Sequence, residues 1–515
     1  MNPEDDASRR TAGPLTEDGP GPAVKAAVLA CLLALTAFQA WAYFAKMQLW
    51  LGPRVLLQPW LLSRGFVMYR DIIDLHAPLM PLALSSLVPL FPDGVVLAKT
   101  AMAALLTLST LLTFELGRHR IGWFAGLWAA GFFVIWSPAL VFFKLWHESL
   151  LVPIYLLWLF FDQSSAGPRP VRSALLLGFL GGVAVLIKQH AALPFAAFVL
   201  WGVFNRRHYR IPWPAVLRET AWILLGMTLP VLAYCVFQLL TAGSLDGFLY
   251  WTVRFNLVGK YKSIAAQRPT VTQIGKLASL LLLMPAALLS LVDARRRGDP
   301  VWLLLGMLLL MTAAGSVTAY PRFEFFHLQP ILPMAALTSS LVLAYAIRRK
   351  DAGGRPFAAG VAAALSFFWL VTAGYEYRPV IRPEKKRPVW EYSSLQPLAE
   401  EIRRSVPADQ SLYIFPDSEV ASNLYYLLAA EPPRYWVFHY PWYLQERVVN
   451  RIIRTLETDP PDWIIQFPDR YGTLTLARGI NRIIEDRYRR EARIPWTSSE
   501  VWLLRRIVPD GGTGH

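Results

Sequence analysis

Long apolar runs separated by short polar segments fill the chain from about residue 23 to about residue 375. An α-helix needs roughly 20 apolar residues to cross the hydrocarbon core of a bilayer. By that criterion the pattern predicts about eleven transmembrane helices, with one long run divided at a polar turn because a charge is costly in lipid. The predicted spans are 23–45, 95–116, 121–137, 149–161, two short spans within 175–203, 221–240, 274–291, 301–314, 328–347 and 357–375.

Basic residues between these runs predict the orientation of the chain. The net charge is +15, and many of the Lys and Arg before residue 376 lie in short clusters at the ends of apolar runs. If the spans alternate, five clusters share one side, which the positive-inside rule makes cytoplasmic. The N-terminus is then cytoplasmic, and the chain after residue 375 is extracytoplasmic. The clusters therefore explain the positive charge without a nucleic-acid partner, and they contain Arg118 and Arg120; Arg169 and Arg172; Arg206, Arg207 and Arg210; Arg295, Arg296 and Arg297; and Arg348, Arg349, Lys350 and Arg355.

The last part of the chain has a different pattern, with many charges and short apolar segments. Strands are predicted at 411–415, 462–467 and 501–505, and helices at 418–430, 441–456 and 476–489. Such alternation favours a small α/β domain. The predicted fold class is therefore mainly α, a polytopic membrane protein with a small C-terminal α/β extracytoplasmic domain.

Three domains follow from these patterns. Residues 1–22 are polar and predict a disordered cytoplasmic tail. Residues 23–375 form the transmembrane domain, and residues 376–515 form the extracytoplasmic domain. The first apolar run has no convincing cleavage site, so we expect it to be retained. The predicted location is a multi-pass position in a membrane, specifically a bacterial inner (plasma) membrane.

Ionisable residues gather in the loops predicted to face outward. The first such loop contains Arg70, Asp71, Asp74 and His76. Charged groups at membrane depth cost several kcal/mol, so they are expected to line a cavity and to pair with one another. Carboxylates beside cations suit a site that activates a hydroxyl group and holds a phosphate. Later outward loops add His147 and Glu148; Lys188, Gln189 and His190; Arg254, Lys260, Tyr261 and Lys262; and Arg322, Glu324 and His327.

Each of these signals also has a simpler interpretation. Asp71 and Asp74 suit solvated loop positions paired with Arg70, and His76 suits a structural position. Glu148 suits a helix N-terminus, where the dipole favours a negative charge. Snorkelling explains Lys188, pairing with Glu324 explains Arg322, and anionic lipid headgroups explain a basic fourth loop. The functional interpretation depends on the joint placement of these residues on one face.

Several of these stretches resemble GT-C superfamily glycosyltransferases, which include protein O-mannosyltransferases and the lipid A aminoarabinose transferase. Gly65–Pro78 resembles their first external loop, and Glu148 is similar to their second acidic position. Lys188–Gln189 resembles their lysine-containing turn, and Arg322–Pro333 resembles the stretch before a late span. One departure is that Asp71 and Asp74 are separated here, where the mannosyltransferases have an adjacent Asp–Glu pair. Asp71 fits the family position better than Asp74.

The resemblance implies an inverting transfer of a sugar from a polyprenyl-phosphate donor to a hydroxyl group on the extracytoplasmic face. The acceptor is a lipid, a glycan or a protein, and membrane lipids surround the enzyme. Asp71 is the implied base, with Asp74 and Glu148 as further catalytic candidates. Lys188, Arg322 and part of the Arg254–Lys262 loop would hold the donor phosphate.

No cofactor is certain. A divalent cation, Mg²⁺ or Mn²⁺, held by Asp71 and Glu148 is one possibility that the sequence leaves open. The alternative function is that of a polytopic transporter or lipid flippase. The transferase hypothesis requires the acidic and basic residues to meet in one water-accessible pocket that opens away from the cytoplasm.

Overall fold

Helices make up most of the described chain. Up to residue 376 these are α1 (Pro22–Lys46), α2 (Leu57–Ser63), α3 (Leu79–Leu87), α4 (Gly94–Arg120), α5 (Trp123–Val141), α6 (His147–Phe161), α7 (Val171–Ile187), α8 (Ala192–His208), α9 (Trp213–Phe237), α10 (Leu245–Leu249), α11 (Phe255–Val258), α12 (Val271–Arg296), α13 (Val301–Val317), α14 (Leu332–Arg348) and α15 (Gly354–Glu376). Short 3-10 segments are Val88–Leu90, Gln189–Ala191 and Phe325–Ile331, and π-helical segments are Gln238–Ala242 and Tyr250–Arg254. The computed structural model describes residues 20–46, 52–91, 93–141, 144–162, 169–258, 268–320, 323–348, 354–378, 392–417, 421–469, 472–496 and 499–507.

The chain forms two compact units. The first consists of Met1–Met47, Lys99–Tyr234 and Ala266–Pro383, and the second of Gln48–Ala98, Cys235–Ala265 and Glu384–His515. Two segments from the predicted transmembrane region therefore belong to the same unit as the tail. The boundary predicted at residue 376 stays a prediction.

The first unit is a bundle of apolar helices with apolar side chains on its outside. Leu33, Leu200 and Leu370 are 70%, 66% and 75% exposed. Large exposed apolar surfaces suit contact with lipid, and helices satisfy their backbone polar groups without water. Among the described residues, six helices are long and apolar enough to cross a membrane. The chain is thus an integral multi-pass membrane protein.

All of the predicted spans coincide with helices that lie wholly or largely in the first unit; α4 begins a few residues before it, and α9 ends a few residues after it. The helices that meet the length and composition criterion are Pro22–Phe44, Gly94–Arg120, Trp123–Val141, Trp213–Ala242, Phe325–Arg348 and Ala359–Glu376. Others, such as α6, α7 and α13, are apolar but shorter. The count of about eleven membrane crossings therefore stays a prediction.

Small residues let α7 and α9 pack closely within the first unit. A Cβ on Gly178 would lie 1.9 Å from the carbonyl oxygen of Ile223, and one on Gly226 would lie 2.2 Å from that of Leu175. Glycine at both positions therefore permits backbone contact between the two helices, as is common where apolar helices pack in a bilayer.

Four charged residues form a buried network at one end of α6 to α9. Arg169 donates to Asp162, and its Nη1 lies 2.9 Å from Glu219 Oε1. Arg206 Nε lies 3.3 Å from Glu219 Oε2. All four residues are no more than 9% exposed. Two positive and two negative charges balance here, so the network joins four helix ends without leaving an uncompensated buried charge.

The second unit contains a small mixed sheet with strand order β1-β2-β4-β3. β1 (Leu412–Phe415) and β2 (Trp463–Gln466) are parallel, with Leu412 opposite Trp463. β4 (Ser499–Arg506) is antiparallel to β2 and to β3 (Tyr488–Trp496). The helices of the tail are α16 (Tyr392–Ser405), α17 (Asn423–Leu428), α18 (Glu446–Thr458), α19 (Thr473–Leu476) and α20 (Arg478–Arg487).

The sheet confirms three predicted strands and adds a fourth. β3 begins at Tyr488, within the helix predicted to end at residue 489. This strand lies at the edge of the sheet and pairs only with β4. Edge strands often carry charges, which hide the alternation of a half-buried strand. The mainly helical membrane fold with a small C-terminal α/β region is otherwise as predicted.

Candidate functional site

The first acidic loop is held in the second unit by backbone contacts from two other segments. Bridges connect Ile72 to Met68 and to Trp436 of the tail. The Ile73 N–H donates to the Trp436 carbonyl at 2.8 Å, and Asn256 Nδ2 donates to the Leu75 carbonyl at 3.1 Å. The loop is therefore fixed between the tail and the segment that follows α9.

Asp71 lies in this loop beneath two arginines. Its Oδ2 accepts hydrogen bonds from the Val67 N–H at 2.9 Å, from Arg70 Nη2 at 2.9 Å and from Arg434 Nη1 at 2.8 Å. The Asp71 side chain is 6% exposed, whereas those of Arg70 and Arg434 are 46% and 58% exposed. Its two arginine partners are therefore much more exposed to solvent than the carboxylate itself.

The surroundings of Asp71 favour its ionised form. Burial by itself raises the pKa of a carboxyl group, but here the hydrogen bonds from Arg70 and from the Val67 N–H act in the opposite direction, as does the charge of Arg434. The pKa of Asp71 is consequently below its ordinary value. A carboxylate in this state accepts hydrogen bonds and attracts cations.

Asp74 is enclosed and fully bonded. Its Oδ2 accepts from Arg54 Nε at 2.7 Å and from Gln58 Nε2 at 2.8 Å. Its Oδ1 accepts from the His76 N–H at 3.0 Å and lies 3.3 Å from the Tyr443 hydroxyl. Burial opposes ionisation, but Arg54 and His76 outweigh it and hold the pKa of Asp74 well below its usual range. The geometry gives Asp74 the role of a buried anchor for the loop.

A second ionic cluster lies in the first unit. Lys188 donates a hydrogen bond to Glu148, which lies in the first turn of α6. His327 Nδ1 lies 2.6 Å from Glu148 Oε1 and 2.8 Å from Lys188 Nζ. Lys188 follows the last residue of α7 with an extended backbone, which turns the chain at the predicted break in the long apolar run. Three residues taken from three predicted outward loops therefore meet.

An apolar cavity of about 680 Å³ adjoins this cluster. Ile331 lines both the cavity and the small pocket that contains Glu148, Lys188 and His327. Thr312, Ser316 and Thr338 add hydroxyl groups, and Arg268 adds a positive charge. Other lining residues are Leu140, Leu277, Leu280, Leu281, Leu283, Met284, Phe323, Leu328 and Leu332. The described lining of the cavity thus combines a long apolar wall with the cation of Arg268.

The remaining predicted residues have varied positions. His147 is buried at the start of α6, and Gln189 and His190 are half-buried in a 3-10 turn. Glu324 directly precedes the 3-10 segment that carries His327, and Arg254 is exposed. Lys260, Tyr261, Lys262 and Arg322 lie outside the described residues.

Asp71 and Asp74 belong to the second unit, whereas Glu148, Lys188 and His327 belong to the first. The predicted convergence of acidic and basic residues therefore stays a prediction.

Sequence reasoning paired Arg70 with the two aspartates but missed most of their other partners. Arg434 and Tyr443 are 363 and 369 positions from their aspartate partners. No local spacing connects residues so far apart. Arg54 and Gln58 lie nearer, at 20 and 16 positions, and their only signal is polarity within an apolar stretch.

The described residues give no support for a metal centre. They contain no group of three or more His, Cys, Asp or Glu side chains placed to hold an ion. Asp71 forms ion pairs with two arginines, and Glu148 forms ion pairs with Lys188 and His327. The divalent cation stays an untested prediction.

The fold of this chain is similar to that of solved membrane glycosyltransferases. ArnT from Cupriavidus metallidurans in the apo state matches with a TM-score of 0.52 and 13% identity, over 93% of this chain and 98% of that chain. The arabinofuranosyltransferase AftD from Mycobacteria matches with a TM-score of 0.50 and 14% identity, over 93% of this chain and 42% of that chain. No family model and no curated protein matches the sequence. The predicted resemblance is confirmed at the level of fold.

Proposed function

We propose that this protein is a membrane glycosyltransferase that moves a sugar from a polyprenyl-phosphate donor to an acceptor hydroxyl group. The observation that carries the proposal is the apolar cavity of about 680 Å³ beside the Glu148–Lys188–His327 cluster. A prenyl phosphate joins a long apolar chain to an anionic head, and this region of the first unit offers a matching pair of surfaces. The shared fold with membrane glycosyltransferases supports the same conclusion.

The cavity suits the lipid part of such a donor. Its volume lies within the roughly 300–1,000 Å³ of ordinary ligand pockets, and its wall is mostly apolar. Burial of the prenyl chain there is favoured because the chain makes many close van der Waals contacts with the apolar wall. Arg268 offers the phosphate a charged hydrogen-bond donor.

Lys188 suits the charge that develops on the leaving phosphate. Before a donor binds, Glu148 balances Lys188, so the buried lysine is not left as an uncompensated charge. A phosphate that approaches Lys188 would share it with Glu148. The Lys188 ammonium group would then stabilise the increasing negative charge as the bond from the sugar to the phosphate breaks.

Asp71 suits the acceptor side of the reaction. The acceptor oxygen attacks the anomeric carbon from the face opposite the phosphate, the bond to the phosphate oxygen breaks, and the configuration inverts. The hydroxyl proton passes to Asp71. A carboxylate with a lowered pKa is a weak base, but the hydroxyl becomes far more acidic as its oxygen bonds to carbon, so the transfer occurs late. Asp74 then keeps the loop in place from its buried position.

The finer location and orientation belong to the same proposal. We assign the protein to a bacterial inner membrane, with a cytoplasmic N-terminus, about eleven membrane crossings and an extracytoplasmic tail. The basic clusters of the sequence support this orientation. Reaction on the extracytoplasmic face suits a lipid-linked donor, which carries its own activated sugar.

A transfer assay tests the function. Membranes that contain the full chain are incubated with polyprenyl-phosphate arabinose or polyprenyl-phosphate mannose labelled in the sugar. We expect label to move to a membrane or glycan acceptor with the wild type and the surface control Asp409→Asn. Asp71→Asn is expected to lose about 10²- to 10⁴-fold, the range for a general base. Full activity of Asp71→Asn would rule out the proposed base.

The alternative function gives a different result. A transporter or flippase would move labelled lipid or sugar across the membrane without transfer, and Asp71→Asn would leave the covalent state of the sugar unchanged. Movement without transfer, with both donors and with the wild type, would exclude the glycosyltransferase.

A further inference from the structure

The tail presents Arg434 to the carboxylate of the first loop. Arg434 Nη1 lies 2.8 Å from Asp71 Oδ2, and its guanidinium carbon lies 4.6 Å from the centre of the Phe66 ring. Both partners belong to the second unit. The arginine is therefore held by a charge and by an aromatic face of the same loop.

The backbone that follows Arg434 is fixed by hydrogen bonds. The Trp436 N–H donates to the Asp71 carbonyl at 2.7 Å, and the Trp436 indole donates to Asp417 Oδ2 at 2.9 Å. Tyr435, between Arg434 and Trp436, has φ of 72°, and Tyr69 in the loop has φ of 66°. Left-handed backbone at a residue other than glycine persists only where its surroundings impose it, and such positions cluster at functional sites.

The two oxygens of Asp71 have unequal surroundings. Oδ2 accepts three hydrogen bonds, from Val67, Arg70 and Arg434. Within the described ranges Oδ1 accepts one, from Arg70 Nε at 3.2 Å. A carboxylate has about two acceptor directions on each oxygen. Oδ2 is therefore saturated, and Oδ1 keeps capacity for another donor.

We propose that Arg434 is a positioning residue that saturates Asp71 Oδ2 and so directs Oδ1 to the acceptor hydroxyl group. The proposal rests on the function proposed above, because Oδ1 is the atom that would receive the acceptor proton. It gives the tail a direct part in the chemistry, as the source of a side chain that orients and charges the base. Arg434 itself touches no reacting atom.

The charged groups that face Asp71 are Arg70 from its own loop and Arg434 from the tail. Loss of one opposite charge raises the pKa of a carboxyl group by about one unit or more. Because transfer needs ionised Asp71, Arg434→Gln is expected to shift the acidic limb of kcat/KM upward by about one pH unit. Below that limb the variant would be about tenfold slower than the wild type.

The test measures kcat and KM against pH for purified full-length protein in proteoliposomes, with the labelled polyprenyl-phosphate sugar that the wild type uses. Arg434→Lys should restore part of the shift, since it keeps the charge but not the planar group. Arg451→Gln is the matched control, because Arg451 stacks on the neighbouring Tyr435 ring at 5.4 Å instead of on Phe66. An unchanged limb in Arg434→Gln, with Asp71→Asn inactive, would overturn this inference and leave the proposed function intact.

A second measurement needs no donor. The unfolding midpoint is followed from pH 3 to pH 7 for the wild type, Arg434→Gln, Asp71→Asn and the double variant. Asp71 contributes stability above its ordinary pKa, and that contribution is lost as the pH falls through its lowered value. The contribution of Asp71 to this pH dependence is the difference between the wild type and Asp71→Asn. We expect that difference to be smaller in the Arg434→Gln background. If Arg434→Gln leaves that difference unchanged, the inference is wrong even where no donor is turned over.

Discussion

Asp71 and Asp74 are three positions apart in one loop, yet their surroundings differ in kind. The side chains of both aspartates are at most 6% exposed, but those of the arginines that bond Asp71 are about half exposed, whereas that of Arg54 beside Asp74 is only 6% exposed. Asp71 is bonded by arginines whose side chains are about half exposed, whereas the Arg54 and Gln58 donors of Asp74 are buried. The two carboxylates are similarly buried, and what differs is the exposure of their partners. We therefore interpret Asp71 as available for chemistry and Asp74 as structural.

The two aspartates reach a lowered pKa by different routes. Hydrogen bonds from Arg70 and Val67, with the charge of Arg434, offset burial for Asp71. For Asp74 the opposing groups are Arg54 and His76, within a closed set of donors. A substrate can compete with exposed arginines for Asp71. A ligand that approached Asp74 would have to displace Arg54, Gln58 or Tyr443, which are buried, or His76, whose side chain is 21% exposed.

The largest expected effect on stability comes from breaking the buried ion pair between Arg54 and Asp74. Arg54→Met leaves Asp74 buried without its main cation, and loss of one partner of a buried pair costs about 3–5 kcal/mol. We expect the unfolding free energy of the full chain in detergent to fall by that amount. Arg70→Met is the matched control, because its exposed guanidinium contributes about 0–1 kcal/mol. Equal losses in the two variants would contradict the distinction drawn between the two aspartates.

A third buried carboxylate sharpens the comparison because its partners are neutral. Asp417 accepts from the Ser422 hydroxyl and from the Trp436 indole at 2.9 Å. Burial raises its pKa to about 7, with those hydrogen bonds acting in the opposite direction. Burial also lowers the pKa of nearby His439, whose Nδ1 accepts from the Asp417 N–H, to about 3.

These two groups predict opposing effects of pH on stability. Asp417 contributes stability below its ordinary pKa, and this contribution is lost as the pH rises through about 7. His439 contributes stability above its ordinary pKa, and this is lost as the pH falls toward about 3. Between about pH 4 and 6.5 the two slopes, each at most about 1.4 kcal/mol per pH unit, largely cancel.

Single variants would separate the two contributions. In Asp417→Asn the unfolding free energy should rise with pH across this window more steeply than in the wild type. In His439→Gln it should fall with pH. Unfolding curves in detergent at several pH values would measure both slopes. The same slope in both variants would show that at least one group keeps its ordinary pKa in the folded protein.

Local pattern was enough for most of the elements. The polar break at Lys188 predicted the turn between α7 and α8, and the apolar segments around Tyr413 and Ile464 predicted β1 and β2. β3 was missed because its run of Arg and Glu has the character of an exposed helix. What makes this segment a strand is its pairing with β4, a tertiary contact that helix propensity does not contain.

The residues of the candidate site could be predicted only where a charged residue lies beside a long apolar run. Asp71, Glu148 and Lys188 each lie beside such a run. Arg434 and Tyr443 lie in a polar tail, where another arginine or tyrosine carries no special signal. Their importance comes from contacts with residues more than 360 positions away, and only the folded chain reveals them.

The smallest expected effect on stability comes from removal of the Tyr443 hydroxyl group, which lies near Asp74. The Tyr443 hydroxyl accepts from the Leu75 N–H at 3.2 Å and lies 3.3 Å from Asp74 Oδ1. Both distances are long for hydrogen bonds, so Tyr443→Phe should cost about 1 kcal/mol and leave the stronger bonds from Arg54 and Gln58 in place. Unfolding of the full chain in detergent would measure the loss. Tyr435→Phe is the control, because its hydroxyl makes no hydrogen bond to the described part of the chain.

The size of that loss discriminates between two kinds of anchor. If Asp74 is held by a cooperative network, removal of one hydroxyl weakens the neighbouring bonds and the cost approaches that of Arg54→Met. If its donors act independently, the cost stays near that of one ordinary hydrogen bond. The long distances to Tyr443, against 2.7 Å and 2.8 Å to Arg54 and Gln58, favour independent donors. A loss of about 3 kcal/mol or more would instead make Tyr443 an equal member of the enclosure, and the tail would then hold Asp74 as firmly as the loop's own residues do.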